Sequence, residues 1–210
     1  MHLLVFGATG ATGGPFTRYA LDAGHQVTAV VRRPEAFGLT HPRLRVVQGD
    51  VLLPASFADH APGKDAVVSC LGVPTLKPTT FYSTGMSHIL EVMRNADVRR
   101  LMVMSALGLD IGPEINPVQK FLTRYLVQRI LRNPFADLRR MEAEVKASPL
   151  DWTIVRPPRL TNAEPRGSWR VAVDRFLARP MIISRKDLAA YMAENIANKT
   201  IYRRTVEIAY

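Results

Sequence analysis

Short runs of mostly apolar residues recur along the chain at 2–6, 26–31, 44–47, 65–69, 101–104 and 152–155. Each is a few residues long, rich in Val, Leu, Met or Ile, and followed by turn-forming or charged residues, the pattern of strands covered on both faces. Between them the apolar spacing becomes helical. Residues 17–23 show it, as do 79–94, where Ile89, Leu90 and Met93 share a face, and 113–147, where Val118, Leu122, Tyr125 and Leu126 do. Asn133-Pro134 is expected to split that last stretch, with a second helix ending near Ala147, and its arginines (Arg124, Arg129, Arg132, Arg139, Arg140) are expected to form a solvated face. Residues 160–170 read as a flexible loop covering a cleft. Ser184 and Asp187 then open a helix with the capping pattern S-x-x-D, continued by Leu188, Tyr191 and Met192, and residues 205–210 suit a last strand. Strand and helix alternate from residue 2 to about 156, which predicts a single α/β domain built on a doubly wound parallel sheet. Residues 157–210 form its substrate-side segment.

Composition narrows the class. The 210 residues, 47% hydrophobic and 22% charged, suit one globular domain. No apolar run approaches the roughly 20 residues that span a bilayer, and no charged region precedes an apolar one at Met1, so a cytoplasmic protein without membrane attachment is expected. The single cysteine, Cys70, offers neither an internal disulfide nor a metal-ligand cluster, and no metal is expected. A net charge of +10 invites a nucleic-acid reading, but the arginines are scattered and no nucleic-acid motif accompanies them. The excess would instead draw in phosphorylated small molecules.

The chemistry concentrates where the first apolar run meets the first helix. Gly7, Gly10 and Gly13 recur at three-residue spacing in Gly7-Ala8-Thr9-Gly10-Ala11-Thr12-Gly13. On a strand-to-helix turn, Gly7 permits the tight turn, Gly10 lets backbone N–H groups approach a pyrophosphate, and Gly13 lets the helix pack on the strand. An ordinary glycine-rich turn is the alternative, since the spacing differs from G-x-G-x-x-G. The second strand stops at Arg32-Arg33. An acid there would accept from a ribose 2′-OH, whereas arginine accommodates a 2′-phosphate, so NADP(H) is favoured over NAD(H) unless the pair is merely solvated. Asp50 could accept from an adenine amino group or serve only as a turn aspartate. Leu71, Gly72 and Val73 leave the fourth strand at the carboxyl edge, where the nicotinamide half should lie, and Ser105 is delivered at the same edge after the fifth. His88, alone on a packed helix, reads as structural.

Together with Val31-Arg32, Gly49-Asp50-Val51, Met104-Ser105-Ala106, residues 148–158 (SPLDWTIVRPP) and Ile183-Ser184-Arg185-Lys186-Asp187-Leu188, the glycine motif resembles the atypical short-chain dehydrogenase/reductases, the group that holds NmrA-like proteins and flavin reductases of the biliverdin reductase B type. That resemblance implies a Rossmann-type sheet and NADP(H) held by Gly7, Thr9, Gly10, Ala11, Thr12, Gly13, Arg32 and Arg33. It further implies Asp50 and Val51 near the adenine, Leu71, Gly72, Val73, Ser105 and Pro157 on the nicotinamide side, and Leu107 and Arg159 as substrate contacts. One departure matters. No tyrosine here has a lysine four residues on, and Leu138 stands where the resemblance implies that lysine, so the usual proton-donating pair is missing. Tyr125 and Arg129 imitate the spacing on another helix. Glu142 and Arg159 occupy positions where the flavin reductases carry histidines. The expectation is an NADPH-dependent reductase of a small flavin- or quinone-type acceptor, with Ser105 orienting the ring. The alternative is a non-catalytic NADP(H) sensor acting through a protein partner.

Overall fold

The apolar runs become strands because each carries side chains that need cover on both sides. In β1 (His2–Phe6), Leu3 and Val5 point to one face while Leu4 and Phe6 point to the other, all at most 2% exposed. The first pair packs into a layer with α1 (Gly13–Asp22) and the second with α2 (Phe81–Asn95). Every such fully buried side chain is worth about 1.5–3 kcal/mol over its exposed state. The structure, a computed structural model, describes residues 1–110, 112, 125 and 128–210. Of the helical stretch expected over 113–147, residues 113–124, 126 and 127 therefore lie outside the described residues.

Strands β2 (Gln26–Val31), β3 (Leu44–Gln48), β4 (Ala66–Ser69), β5 (Arg100–Met104) and β6 (Asp151–Arg156) join β1 in parallel. Two short strands, β7 (Arg159–Thr161) and β9 (Ile182–Ser184), form a separate parallel ribbon. β8 (Arg170–Val173) and β10 (Arg204–Ala209) complete an eight-stranded sheet in the order β3-β2-β1-β4-β5-β6-β10-β8, antiparallel only at β8. This is the Rossmann-type doubly wound arrangement. Its order reverses between β1 and β4, which opens a crevice beyond the carboxyl ends of those strands.

Two helices are set by side chains that sequence pattern placed elsewhere. α3 (Arg132–Ala147) follows directly on a short helical segment at Gln128–Ile130 and carries Pro134 within its own first turn, where proline is tolerated, so the split expected at Asn133-Pro134 falls just before it, at Leu131. Its charges are not all solvated: Asp137 and Glu142 are 0% and 2% exposed. Asp137 reaches the start of α2, accepting from Tyr82 N at 2.8 Å and from Ser83 Oγ at 2.5 Å, and so satisfies donors that a helix start leaves open. α4 (Arg185–Asn195) is capped as expected, Ser184 Oγ accepting from Asp187 N at 2.9 Å. The segment expected as a flexible cover is instead anchored. β7 pairs with β9, and the buried Asp187 carboxylate accepts from Arg166 N and Gly167 N at 2.8 and 3.1 Å and from the Tyr210 hydroxyl. No helix among the described residues is long and apolar enough to cross a membrane.

Candidate functional site

The glycine turn owes its shape to crowding. Gly7 has φ +76°, in the left-handed region, and a Cβ there would lie 2.5 Å from Cys70 O. A Cβ on Gly13 would lie 2.1 Å from Gly7 O, so only glycine lets α1 start this close to the end of β1. Gly10 N donates to Gly7 O at 2.9 Å and closes the turn. The N–H groups of Ala11, Thr12 and Gly13 find no acceptor among the described residues, Thr12 makes no side-chain cap, and the first turn of α1 holds no acid. A helix start with open donors and no carboxylate of its own suits an anion.

That turn forms one wall of a cleft of about 560 Å³ along the carboxyl ends of β2, β1, β4 and β5. Gly7, Thr9, Gly10, Ala11, Thr12, Arg32, Asp50, Val51, Leu71, Gly72 and Val73 all line it. Gly13 is buried behind the turn, and Arg33 is exposed outside the cleft. Arg32 is exposed at the β2 end and has no hydrogen-bonded or ionic partner among the described residues. Asp50 Oδ1 accepts from Leu52 N at 2.9 Å, the turn role, while its residue still faces the cleft. Ser105, Leu107, Pro157 and Arg159 do not line it: Pro157 O accepts from Leu107 N at 2.8 Å, and Arg159 is exposed. His88 Nδ1 lies 2.9 Å from Val51 O, a structural contact. Phe81, Tyr82, Met104, Leu160 and Arg185 also line the cleft, and sequence pattern singled none of them out for the site. For Arg185 a signal existed, because the capped helix start at Ser184 marked its place, but only the β7–β9 pairing turns that start toward the cradle.

Burial pushes the Cys70 thiol up to about 12, so at neutral pH it is not a thiolate. In the native protein its alkylation by iodoacetamide is expected to be about a hundredfold slower than in urea. Equal rates would show that the end of β4 opens readily.

The geometry fits a dinucleotide: open N–H donors at a glycine turn, an unpartnered arginine one strand away, and an elongated cleft between them and β5. A model of the NAD(P)H-binding family matches residues 7–199. The chain belongs to that family. Its membership bears out the resemblance to atypical short-chain dehydrogenase/reductases and supports a nicotinamide nucleotide as its cofactor. An uncharacterised chloroplastic protein of Arabidopsis thaliana is 27% identical over 180 residues, which are 79% of this chain and 61% of that relative. The chain thus spans about three-fifths of its length. Among solved structures, a short-chain dehydrogenase/reductase of Veillonella parvula in complex with NADP matches 100% of this chain and 94% of its own at a TM-score of 0.84 and 15% identity. A proposed NADH-flavin reductase of Streptococcus pneumoniae matches 100% and 99% at 0.76 and 21%. These two likenesses establish the fold.

Beside the cleft, this NAD(P)H-binding protein buries a polar network. Glu142 Oε1 accepts from Ser105 Oγ at 2.7 Å and from Arg156 Nε at 2.8 Å, while Oε2 accepts from Arg156 Nη2 at 2.5 Å and Lys146 Nζ at 3.1 Å. Arg156 also pairs with Asp110 at 2.9 Å. Burial alone would raise the Glu142 carboxyl, but Arg156, Ser105 and Lys146 outweigh it and hold the group below its ordinary range. Arg156 moves the opposite way for the same reason: burial lowers it, and Glu142 and Asp110 raise it further. The Ser105 proton is therefore directed at Glu142, away from any acceptor in the cleft.

Proposed function

We propose that this protein is an NADPH-dependent reductase that passes a hydride to a small conjugated acceptor of flavin or quinone type without a Tyr-x-x-x-Lys pair. The observation that carries the reading is the lining at the β4 and β5 end of the cleft, where Phe81, Tyr82, Met104 and Leu160 present rings and apolar side chains to a planar acceptor. The strand order sets the direction. Arg32 after β2 would meet the 2′-phosphate, the cradle after β1 the pyrophosphate, and Leu71, Gly72 and Val73 after β4 the nicotinamide half. Bound NADPH supplies the hydride; the chain holds the acceptor against it and keeps water out. Ser105 lies outside the cleft lining with its proton committed to Glu142, so it serves neither as proton donor nor as direct contact of the acceptor in this reading. That same commitment favours the second reading, an NADP(H) sensor that answers to a protein partner.

Arg32 decides the cofactor. Charge-assisted hydrogen bonds contribute about 1.5–3 kcal/mol, so NADPH should bind about tenfold tighter than NADH or better, and Arg32→Ala should erase that margin while leaving NADH nearly unaffected. Fluorescence titration of both cofactors reads it, and equal affinities in the unaltered protein would overturn the assignment. The reductase itself is tested by NADPH oxidation across flavins, quinones and unsaturated carbonyls. Tight NADPH binding with no oxidation leaves the sensor.

A further inference from the structure

Tyr82 brings a hydroxyl to the cleft that the reading above leaves unused. It stands in the first turn of α2, whose start is fixed by the buried Asp137 through Tyr82 N and Ser83. Its ring meets Phe81 edge-on at 5.7 Å and 78°, so two aromatic side chains hold each other in the cleft wall. Its Oη accepts from Val73 N at 3.1 Å. Val73 belongs to the loop after β4, the nicotinamide side by strand order, and lines the same cleft. The Tyr82 hydroxyl proton has no acceptor among the described residues. A phenol oxygen that already receives an N–H bond keeps its own O–H to donate, and here the cleft offers the place for that donation.

We propose that Tyr82 is the proton donor of the reaction and that the acceptor is a quinone or another conjugated carbonyl compound rather than a flavin. The inference rests on the reductase reading and narrows its substrate class. As hydride adds to the carbon conjugated with the carbonyl, the electron pair moves onto the carbonyl oxygen and Tyr82 Oη–H protonates that oxygen. The C–H bond broken in the dihydronicotinamide becomes the new C–H bond of the acceptor, the cofactor is oxidised by two electrons, and the acceptor is reduced by two. The Val73 N–H supports the charge left on Oη until a proton returns from solvent, and the enol formed tautomerises to product, a hydroquinone in the quinone case. This work is the one the missing Tyr-x-x-x-Lys pair does elsewhere in the resemblance, delivered here from α2.

Tyr82→Phe keeps the ring and removes only the hydroxyl. With a small quinone its kcat should fall about a hundredfold or more. Two equilibrium readouts accompany it. The Kd for NADPH should not move, and the affinity for a flat, unreduced aromatic ketone such as xanthone, followed by tryptophan quenching, should weaken up to about tenfold. A quinone kcat and xanthone affinity equal to the unaltered protein's would overturn Tyr82 as the donor while the reductase reading stands. Loss of NADPH binding in the variant would assign Tyr82 to the cofactor and overturn it equally. An unaltered protein that binds NADPH yet oxidises it with no acceptor would remove the reductase reading and this inference together.

Discussion

Gly13→Ala is expected to lower the thermal midpoint by about 6–12 °C and to abolish nucleotide binding. The added Cβ would sit 2.1 Å from Gly7 O, a backbone atom that cannot rotate aside, so α1 must lift or the turn must open. Overpacking of this kind costs about 3 kcal/mol, and each kcal/mol moves the midpoint of a chain this size by about 2–4 °C. Gly10→Val makes the informative contrast. A Cβ on Gly10 would lie 3.1 Å from Gly7 O, a contact that small shifts relieve, so this variant should stay folded by circular dichroism. Its branched side chain would still stand in the cleft where the pyrophosphate must approach, and binding should be lost. Nucleotide binding retained in Gly10→Val would mean that the glycines serve the turn alone, and an unchanged midpoint in Gly13→Ala would mean that α1 is not seated on the turn.

Glu142→Gln should cost about 3–5 kcal/mol of stability at neutral pH, because it leaves the buried Arg156 charge without its chief partner. Urea unfolding measures it, and a loss under about 1 kcal/mol would show that Asp110 alone suffices for Arg156. The pH dependence has a definite sign. The folded-state carboxyl lies below its ordinary value of 4.5, so its contribution is fully present above that value and is lost as pH falls through the lower, folded-state value. Stability of the unaltered protein should therefore drop on acidification more steeply than that of Glu142→Gln. Parallel acid profiles would mean that Glu142 is not held ionised.

Much of this architecture is legible in sequence because local chemistry and long-range packing agree there. The runs that became β1, β2, β4, β5 and β6 are apolar on both faces, and the glycine spacing and the Ser184 cap each act within a few residues. What stayed hidden depends on partners far along the chain. Asp137 and Glu142 look like ordinary charges on an amphipathic helix, and only the start of α2 and the Arg156 side chain explain their burial. β7 and β9 are three residues each, too short for a periodic signal, yet their pairing carries Leu160 and Arg185 to the cleft. Ser105 shows both sides. Its place at the end of β5 followed from pattern, whereas the direction of its proton depends on Glu142, 37 positions away in the chain.

The seat of β10 bears on how the molecule is made. This strand comes later in sequence than every other in the sheet, yet it lies between β6 and β8. During synthesis β8 emerges first and has nothing to pair with, while the outer edge of β6, from Thr153 to Arg156, stands open as a template for foreign strands. Closure of the sheet thus waits for residues 204–209 to leave the ribosome.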